Sequence, residues 1–146
     1  REVLEAAEML VRDRLAGYGR GAARYGLIHA DMRLANLLID GDDTRLIDFD
    51  DCGFGWFMYD FAAGISFMEE HPQVPALREA WLDGYRAVRP LDREDEVEID
   101  SFIMLRRMAL LAWTGSHAGT DLARSQAPHF AVGTVQLAEA YLARFA

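Results

Sequence analysis

The fold of this chain is decided by the stretch Gly26-Leu27-Ile28-His29-Ala30-Asp31-Met32-Arg33-Leu34-Ala35-Asn36. It has the form His-x-Asp-x-x-x-x-Asn. A second stretch, Leu46-Ile47-Asp48-Phe49-Asp50-Asp51, places another aspartate twelve residues after Asn36. Together, the two stretches put several polar side chains next to short apolar runs.

A β-hairpin is predicted between these two stretches. The apolar runs 37–39 and 46–47 flank Gly41-Asp42-Asp43, and a short glycine-containing loop between such runs is typical of a hairpin. With these three residues as the loop, Asn36 lies opposite Asp48, and their Cβ atoms are about 5 Å apart. We therefore expect two oxygen-bearing side chains to converge at the open end of the hairpin.

Convergent oxygen ligands suit a hard cation such as Mg²⁺, which keeps several of its waters. Asn36 and Asp48 are the candidate ligands. Asp31 precedes the first strand of the hairpin and would lie beside the ion, where a carboxylate can accept a proton from an attacking hydroxyl. The pattern thus predicts a metal-dependent site for hydroxyl chemistry.

These residues resemble the catalytic loop and metal-binding aspartate of protein-kinase-like enzymes. The likeness is greater to the aminoglycoside phosphotransferase and choline kinase group, which has His-Gly-Asp-x-x-x-x-Asn, then Ile-Asp-x, then Tyr-Asp. Tyr59-Asp60 matches the last element, while Ala30 replaces the glycine. Only twelve residues separate Asp48 from Asp60, too few for the long activation segment of a typical protein kinase, so a small-molecule acceptor is favoured.

The resemblance, which covers roughly residues 26–113, implies a role for each matching residue. Asp31 is expected to be the catalytic base or to orient the acceptor hydroxyl. Asn36 and Asp48 are expected to bind Mg²⁺ and, through it, ATP or another nucleoside triphosphate. His29 and Asp60 are expected to support the catalytic loop.

The resemblance also implies a fold. We expect an α+β, mostly α-helical domain over residues 1–146, similar to the C-terminal lobe of a kinase, with a small β-hairpin that carries the active site. The phosphate-covering loop and strand lysine of an N-terminal lobe are missing from the sequence. We therefore expect a piece of a longer protein, inactive alone, with an apolar surface exposed where the other lobe packs and available for self-association.

Composition excludes several classes of protein. The 146 residues carry 24 acidic and 15 basic side chains, a net charge of −9, and every basic residue is arginine. Such an acidic chain is a poor nucleic-acid binder. The single cysteine, Cys52, excludes a disulfide framework, and no apolar run is long enough to span a membrane. With no signal peptide visible, we expect a cytoplasmic protein.

Helical periodicity surrounds the central segment. One helix is predicted to end at Gly17-Tyr18-Gly19. This glycine cluster is typical of a helix C-cap, which we favour over a phosphate-binding loop. Asp92 is predicted to cap a long, buried helix, and the last helix is predicted to follow Pro128. Cys52 is expected to be at least half-buried, and Trp81 and Trp113 are expected to lie in the core.

Other interpretations of the site stay open from sequence alone. Leu46-Ile47-Asp48-Phe49-Asp50 also resembles the Asp-x-Asp motif of phosphohydrolases, with Asp48 as nucleophile. A non-catalytic binding or regulatory module and a bacterial stress-type protein kinase are further alternatives. Aminoglycosides, choline and homoserine are all candidate acceptors. Asp50 and Asp51 can serve the metal, the acceptor or only a solvated turn, and Arg33 can contact a phosphate or form a surface ion pair.

Overall fold

The computed structural model describes residues 1–117 and 121–146, with side chains for all of these except residues 121–128. Its elements are α1 (Glu2–Tyr18), β1 (Tyr25–Ile28), a 3₁₀ turn (Leu34–Asn36), β2 (Leu37–Asp40), β3 (Asp43–Leu46), β4 (Gly53–Trp56), α2 (Tyr59–Gly64), α3 (Val74–Arg86), α4 (Arg93–Ser116) and α5 (Asp121–Phe145). This mostly helical α+β architecture is the one predicted.

The central helix is α4, against which α1, α2 and α5 pack. Its sequence is apolar on more than one face, and Ile99, Phe102 and Met104 are fully buried. The helix begins where predicted, because Asp92 and Asp95 form a capping box in which the Asp92 backbone N–H donates to the Asp95 carboxylate at 2.9 Å. Through Arg106, this helix also contacts the loop of residues 29–36.

Two antiparallel ribbons replace the single hairpin expected. Strand β1 pairs with β4, and β2 pairs with β3. The β1–β4 ribbon is not predicted from the sequence because β4 is only four residues long and two of them, Gly53 and Gly55, are glycines, which weaken a strand. On β1, a Cβ atom at Gly26 would lie 2.9 Å from the Phe57 ring, so a larger residue there would force that ring to shift.

The register of the β2–β3 hairpin differs by one residue from the prediction. Its loop is Gly41-Asp42, with Asp40 opposite Asp43. Gly41 has a φ of 60°, and glycine at the first of two loop residues is typical of a type II′ turn. The Ile47 backbone N–H donates to the Asn36 carbonyl oxygen at 3.1 Å. The prediction that Asn36 lies opposite Asp48 is therefore wrong, since a one-residue slip changes every facing pair.

The last helix also begins earlier than expected. It runs from Asp121, so Pro128 lies within α5 and does not precede it. A proline removes one backbone donor, but it does not set a helix boundary when packing favours the helix on both sides. Here α5 packs against both α1 and α4. Among the described residues, the search for a helix of sufficient length and apolarity to cross a bilayer finds none.

Candidate active site

The loop of residues 29–36, predicted to be the catalytic loop, leaves β1 through a left-handed turn. Ala30 has a φ of 66°, a conformation that costs free energy for a residue with a side chain. The carboxylate of Asp60, at the start of α2, accepts hydrogen bonds from the backbone N–H groups of Ala30 at 2.8 Å and His29 at 3.0 Å. Asp60 thus holds the turn that presents the next residue, Asp31.

Burial raises the pKa of the Asp60 carboxyl above its ordinary value of 3.8. The hydrogen bonds from the His29 and Ala30 backbone and the charges of His29 and Arg106 oppose this effect without cancelling it. The ionised form of Asp60 therefore has a desolvation cost in the folded protein that it does not have in the unfolded chain.

His29 joins the catalytic loop to the hairpin. Its Nε2 lies 3.0 Å from the carbonyl oxygen of Ile47, and its Nδ1 lies 3.3 Å from the backbone nitrogen of Asp31. These partners assign the tautomer in which Nε2–H donates and Nδ1 accepts. The buried ring also contacts Phe49, with 4.9 Å between ring centroids. His29 therefore contacts the loop and the hairpin through both ring nitrogens.

Asp31 is buried and surrounded by donors. The Arg106 Nη2 lies 2.7 Å from Oδ1, and the Arg33 Nε lies 3.1 Å from Oδ1 and 3.0 Å from Oδ2. The Asn36 Nδ2 donates to the Asp31 carbonyl oxygen at 2.8 Å and to Oδ2 at 3.2 Å. Two positive charges and an amide thus fix this carboxylate.

Asn36 and Asp48 have donor atoms that fit a hard cation. Because the Asn36 amide nitrogen is used by Asp31, its oxygen is the atom available to a ligand. Asp48 is exposed and lies just beyond the hairpin at a φ of 62°. Within the described ranges, no group of three or more His, Cys, Asp or Glu side chains is arranged to hold a metal. Amide and carboxylate oxygens are donor types that Mg²⁺ takes in proteins, commonly one or two together with substrate phosphates.

A cavity of about 340 Å³ opens beside Asp31. Its polar end consists of Asp31, Arg33, Asp51 and Arg106, and its apolar wall consists of Phe67, Ala109, Leu110 and Trp113. Phe67 enters this wall from a left-handed conformation with a φ of 66°. A buried carboxylate at the end of a part-apolar cavity is arranged to meet a small polar molecule.

Arg106 is the site residue that sequence analysis misses. It lies in the middle of α4, 75 residues after Asp31, with no local motif around it. The only signal is the Arg106-Arg107 pair inside the otherwise apolar stretch 102–113 of this helix. Burial alone would lower the pKa of the Arg106 guanidinium, but its contacts with Tyr59 and Asp31 outweigh burial and raise the pKa.

The structure also locates the two aspartates, the cysteine and the two tryptophans for which the sequence made predictions. Asp51 lines the cavity, whereas Asp50 does not. Cys52 is exposed and not half-buried, because the turn after Asp48 projects into solvent. Trp113 is 48% exposed and lines the cavity, so its expected core position is wrong, because its side chain lies on the face of α4 that borders the cavity. Trp81 is partly buried and packs against the core as expected.

The Asp60→Asn variant is expected to show a pH-dependent stability difference from the wild type. The raised pKa of folded Asp60 gives a stabilisation that is fully present below pH 3.8 and is lost as pH rises through the folded pKa. The wild type should therefore gain in free energy of unfolding relative to the variant as pH falls from 7 towards 4. Urea unfolding of both proteins across this pH range measures the difference in free energy of unfolding. A difference that does not change with pH, or that changes in the opposite direction, would contradict the prediction.

Comparison with known proteins identifies a family and several similar proteins. The profile of the phosphotransferase enzyme family matches residues 1–96. A solved microcompartment-associated aminopropanol kinase is 46% identical and superposes with a TM-score of 0.91 over 98% of this chain and 45% of its own. Homoserine kinase from Neisseria meningitidis is 37% identical over 75 residues, which are 49% of this chain and 25% of that protein.

A third relative shares the fold. The amicoumacin kinase hAmiN, solved in complex with AMP-PNP, Ca²⁺ and Ami, is 23% identical, with a TM-score of 0.74 over 92% of this chain and 44% of its own. The chain thus spans less than half the length of each of these three proteins. The predicted kinase-like fold is confirmed, and the chain belongs to the phosphotransferase enzyme family.

Proposed function

We propose that residues 1–146 form the C-terminal, catalytic-loop lobe of a phosphotransferase that moves the γ-phosphoryl group of ATP to a hydroxyl of a small molecule. The main support is the buried Asp31 carboxylate, which Asn36 and two arginines fix at the end of a cavity. Phosphoryl transfer depends on positioning and electrostatics more than on covalent chemistry, and this arrangement supplies both.

We assign Asp31 the role of general base, which accepts the proton of the acceptor hydroxyl. In the proposed step, a bond forms between the acceptor oxygen and the γ-phosphorus, and the bond from that phosphorus to the β–γ bridging oxygen breaks. The hydroxyl proton passes to Asp31, and ADP leaves with the bridging oxygen. His29 and Asp60 do not take part in this exchange and act by holding the loop.

Asn36 Oδ1 and the Asp48 carboxylate would hold the divalent cation, for which we propose Mg²⁺. When bound, the cation neutralises charge on the nucleotide phosphates. The relative solved with AMP-PNP and Ca²⁺ supports a nucleotide and a divalent cation as partners of this fold. ATP is proposed over other nucleoside triphosphates on that relative alone.

The proposed acceptor is a small amino alcohol. The relative named as an aminopropanol kinase supports this class. So does the cavity, because Asp51 has no ion-pair partner among the described side chains and the half-exposed Trp113 ring can face an ammonium group. A volume of about 340 Å³ suits a compact molecule more than a large antibiotic.

An N-terminal nucleotide lobe is proposed to cover the ribbons. Eight large apolar side chains on or beside them are exposed, and exposed apolar surface of this kind marks an interaction site. They are Leu27, Leu34, Leu38, Ile39, Leu46, Ile47, Phe49 and Phe54. The greater length of the relatives supports a second lobe. Self-association of the isolated chain through this surface stays a prediction, to be tested by light scattering.

The alternatives are less well supported. A phosphohydrolase with Asp48 as nucleophile would place that residue at the end of a strand in a parallel sheet, but the described strands pair only antiparallel and Asp48 lies in an exposed loop. A non-catalytic module would not need Asp31 to be buried beside a cavity, and a protein acceptor has no observation in its favour.

The proposal is tested with the full-length protein. It is incubated with ATP labelled at the γ-phosphate, Mg²⁺ and a panel containing 1-amino-2-propanol, choline and homoserine, and the products are identified by phosphorus NMR. We expect label on an amino-alcohol oxygen and none without the divalent cation. Release of inorganic phosphate alone, with no labelled acceptor, would contradict the proposal.

A further inference from the structure

Arg106 extends from the middle of α4 to the catalytic loop. Its Nη2 lies 2.7 Å from Asp31 Oδ1, and its Nε lies 2.9 Å from Ser66 Oγ. Its Nη1 makes longer contacts, at 3.4 Å to the carbonyl oxygen of Ala30 and 3.5 Å to the hydroxyl oxygen of Tyr59. One guanidinium therefore joins α4 to the catalytic loop and to both ends of the α2 region.

We propose that Arg106 is the positioning residue of Asp31 and stays on its carboxylate throughout the reaction, whereas Arg33 is a displaceable partner that leaves when the acceptor enters. This inference rests on the proposed function, because it assigns the fixed and the movable contacts of the same base. Of the two arginines, Arg106 lies 75 residues after Asp31, far from the His-x-Asp-x-x-x-x-Asn motif.

The carboxylate of Asp31 is fully occupied by hydrogen-bond donors. Oδ1 accepts from Arg106 and Arg33, and Oδ2 accepts from Arg33 and Asn36. A carboxylate has about four lone-pair sites, so these contacts use all of them. An acceptor hydroxyl can donate to Asp31 only after one contact is released.

Of the side chains that contact the Asp31 carboxylate, Arg33 can be released at the lowest cost in free energy. Its single Nε–H is shared between the two oxygens, at 3.1 and 3.0 Å, and its side chain is 43% exposed. Water can solvate this guanidinium when it leaves, so its departure has little desolvation cost. Its release frees one site on each oxygen of Asp31.

Burial and additional contacts fix the position of the Arg106 side chain. Its side chain is 14% exposed, and Ser66 and Tyr59 bind the parts of the guanidinium that Asp31 does not. The planar fork of an arginine can contact several acceptors at once, whereas a lysine amine cannot match that geometry. Withdrawal would leave a buried guanidinium without its carboxylate partner, which is costly.

Kinetics of the full-length protein separate the two arginines. Arg106→Ala should lower kcat about 10- to 100-fold with little change in the acceptor KM, because misplacing a base acts on the chemical step. Arg106→Lys should recover only part of kcat, and added guanidinium should restore part of the Ala variant's rate. Arg33→Ala should lower the acceptor KM, since it removes the group that the acceptor displaces.

Arg78→Ala is the matched control. Arg78 also bridges a neighbouring helix to α4, with its Nη1 2.6 Å from Asp100 Oδ1, but it does not line the cavity. We expect its kcat to equal that of the wild type. If Arg106→Ala lowers the melting temperature but leaves kcat unchanged, or if guanidinium restores nothing, Arg106 is only structural and the proposal is overturned.

A second readout needs no turnover. In proton–nitrogen NMR spectra of the full-length protein, a fixed guanidinium gives separate Nη–H signals and a free one gives averaged signals. We expect separate signals for Arg106 and averaged signals for Arg33. The reverse pattern would overturn the assignment even in an active enzyme. A protein that transfers no phosphate would instead overturn the proposed function, and these signals would still decide which arginine is fixed.

Discussion

Replacement of Asp31 by asparagine is expected to lower kcat of the full-length protein about 10²- to 10⁴-fold, the range typical for loss of a positioned general base. The amide has the same shape but cannot take the proton of the acceptor hydroxyl. Asp31 also pairs with Arg33 and Arg106, so the variant leaves two partly compensated arginines at the end of the cavity. Steady-state kinetics with saturating ATP and acceptor measure the loss.

The control is Asp83→Asn, the same chemical change on an exposed side chain of α3. It should leave kcat within about twofold of the wild type, as expected for a surface substitution. Circular dichroism and thermal unfolding of both variants show whether they are folded. Unchanged turnover by folded Asp31→Asn would remove Asp31 from the proposed mechanism.

The second large effect concerns stability. Arg107→Ala is expected to lower the free energy of unfolding by about 3–5 kcal/mol, the usual cost of leaving a buried charge without its partner. Arg107 and Glu69 form an ion pair in which the side chains are only 3% and 1% exposed. Arg107 also donates to Thr134 Oγ1 at 2.9 Å and to the Phe130 carbonyl oxygen at 3.2 Å.

Such a loss is a large part of the roughly 5–15 kcal/mol by which a typical protein is stable. Urea unfolding measures it. The exposed pair between Arg12 and Glu8 provides the control, since Arg12→Ala should cost less than about 1 kcal/mol. Combining Arg107→Leu with Glu69→Leu should recover much of the loss, because it removes both charges. A cost for Arg107→Ala as small as that for Arg12→Ala would contradict the buried-pair interpretation.

The sequence predicts the parts of the site that are local in the chain. The motif from His29 to Asn36 predicts a polar loop that enters the hairpin, and the Asp92 cap predicts the start of α4. The hairpin itself is predicted, but its register is not, because Gly41 forms a two-residue turn that sequence spacing does not distinguish from a three-residue loop.

The features missed depend on long-range packing. The β1–β4 ribbon joins segments separated by more than twenty residues, and its glycines conceal the strand pattern. Arg106 reaches Asp31 only because α2 and α4 pack together. Trp113 lies on the same helix as the buried Phe102, and only tertiary structure shows that one ring faces the core and the other the cavity.

The central claim is that Asp31, Asn36 and Asp48 serve one reaction centre. The most direct measurement is a crystal structure of the full-length protein with a non-hydrolysable ATP analogue, Mn²⁺ and an amino alcohol, with the metal located by its anomalous signal. We expect Mn²⁺ on Asn36 Oδ1 and the Asp48 carboxylate and the acceptor hydroxyl within about 3 Å of Asp31. A metal away from both ligands, or a hydroxyl bound by another side chain, would contradict it.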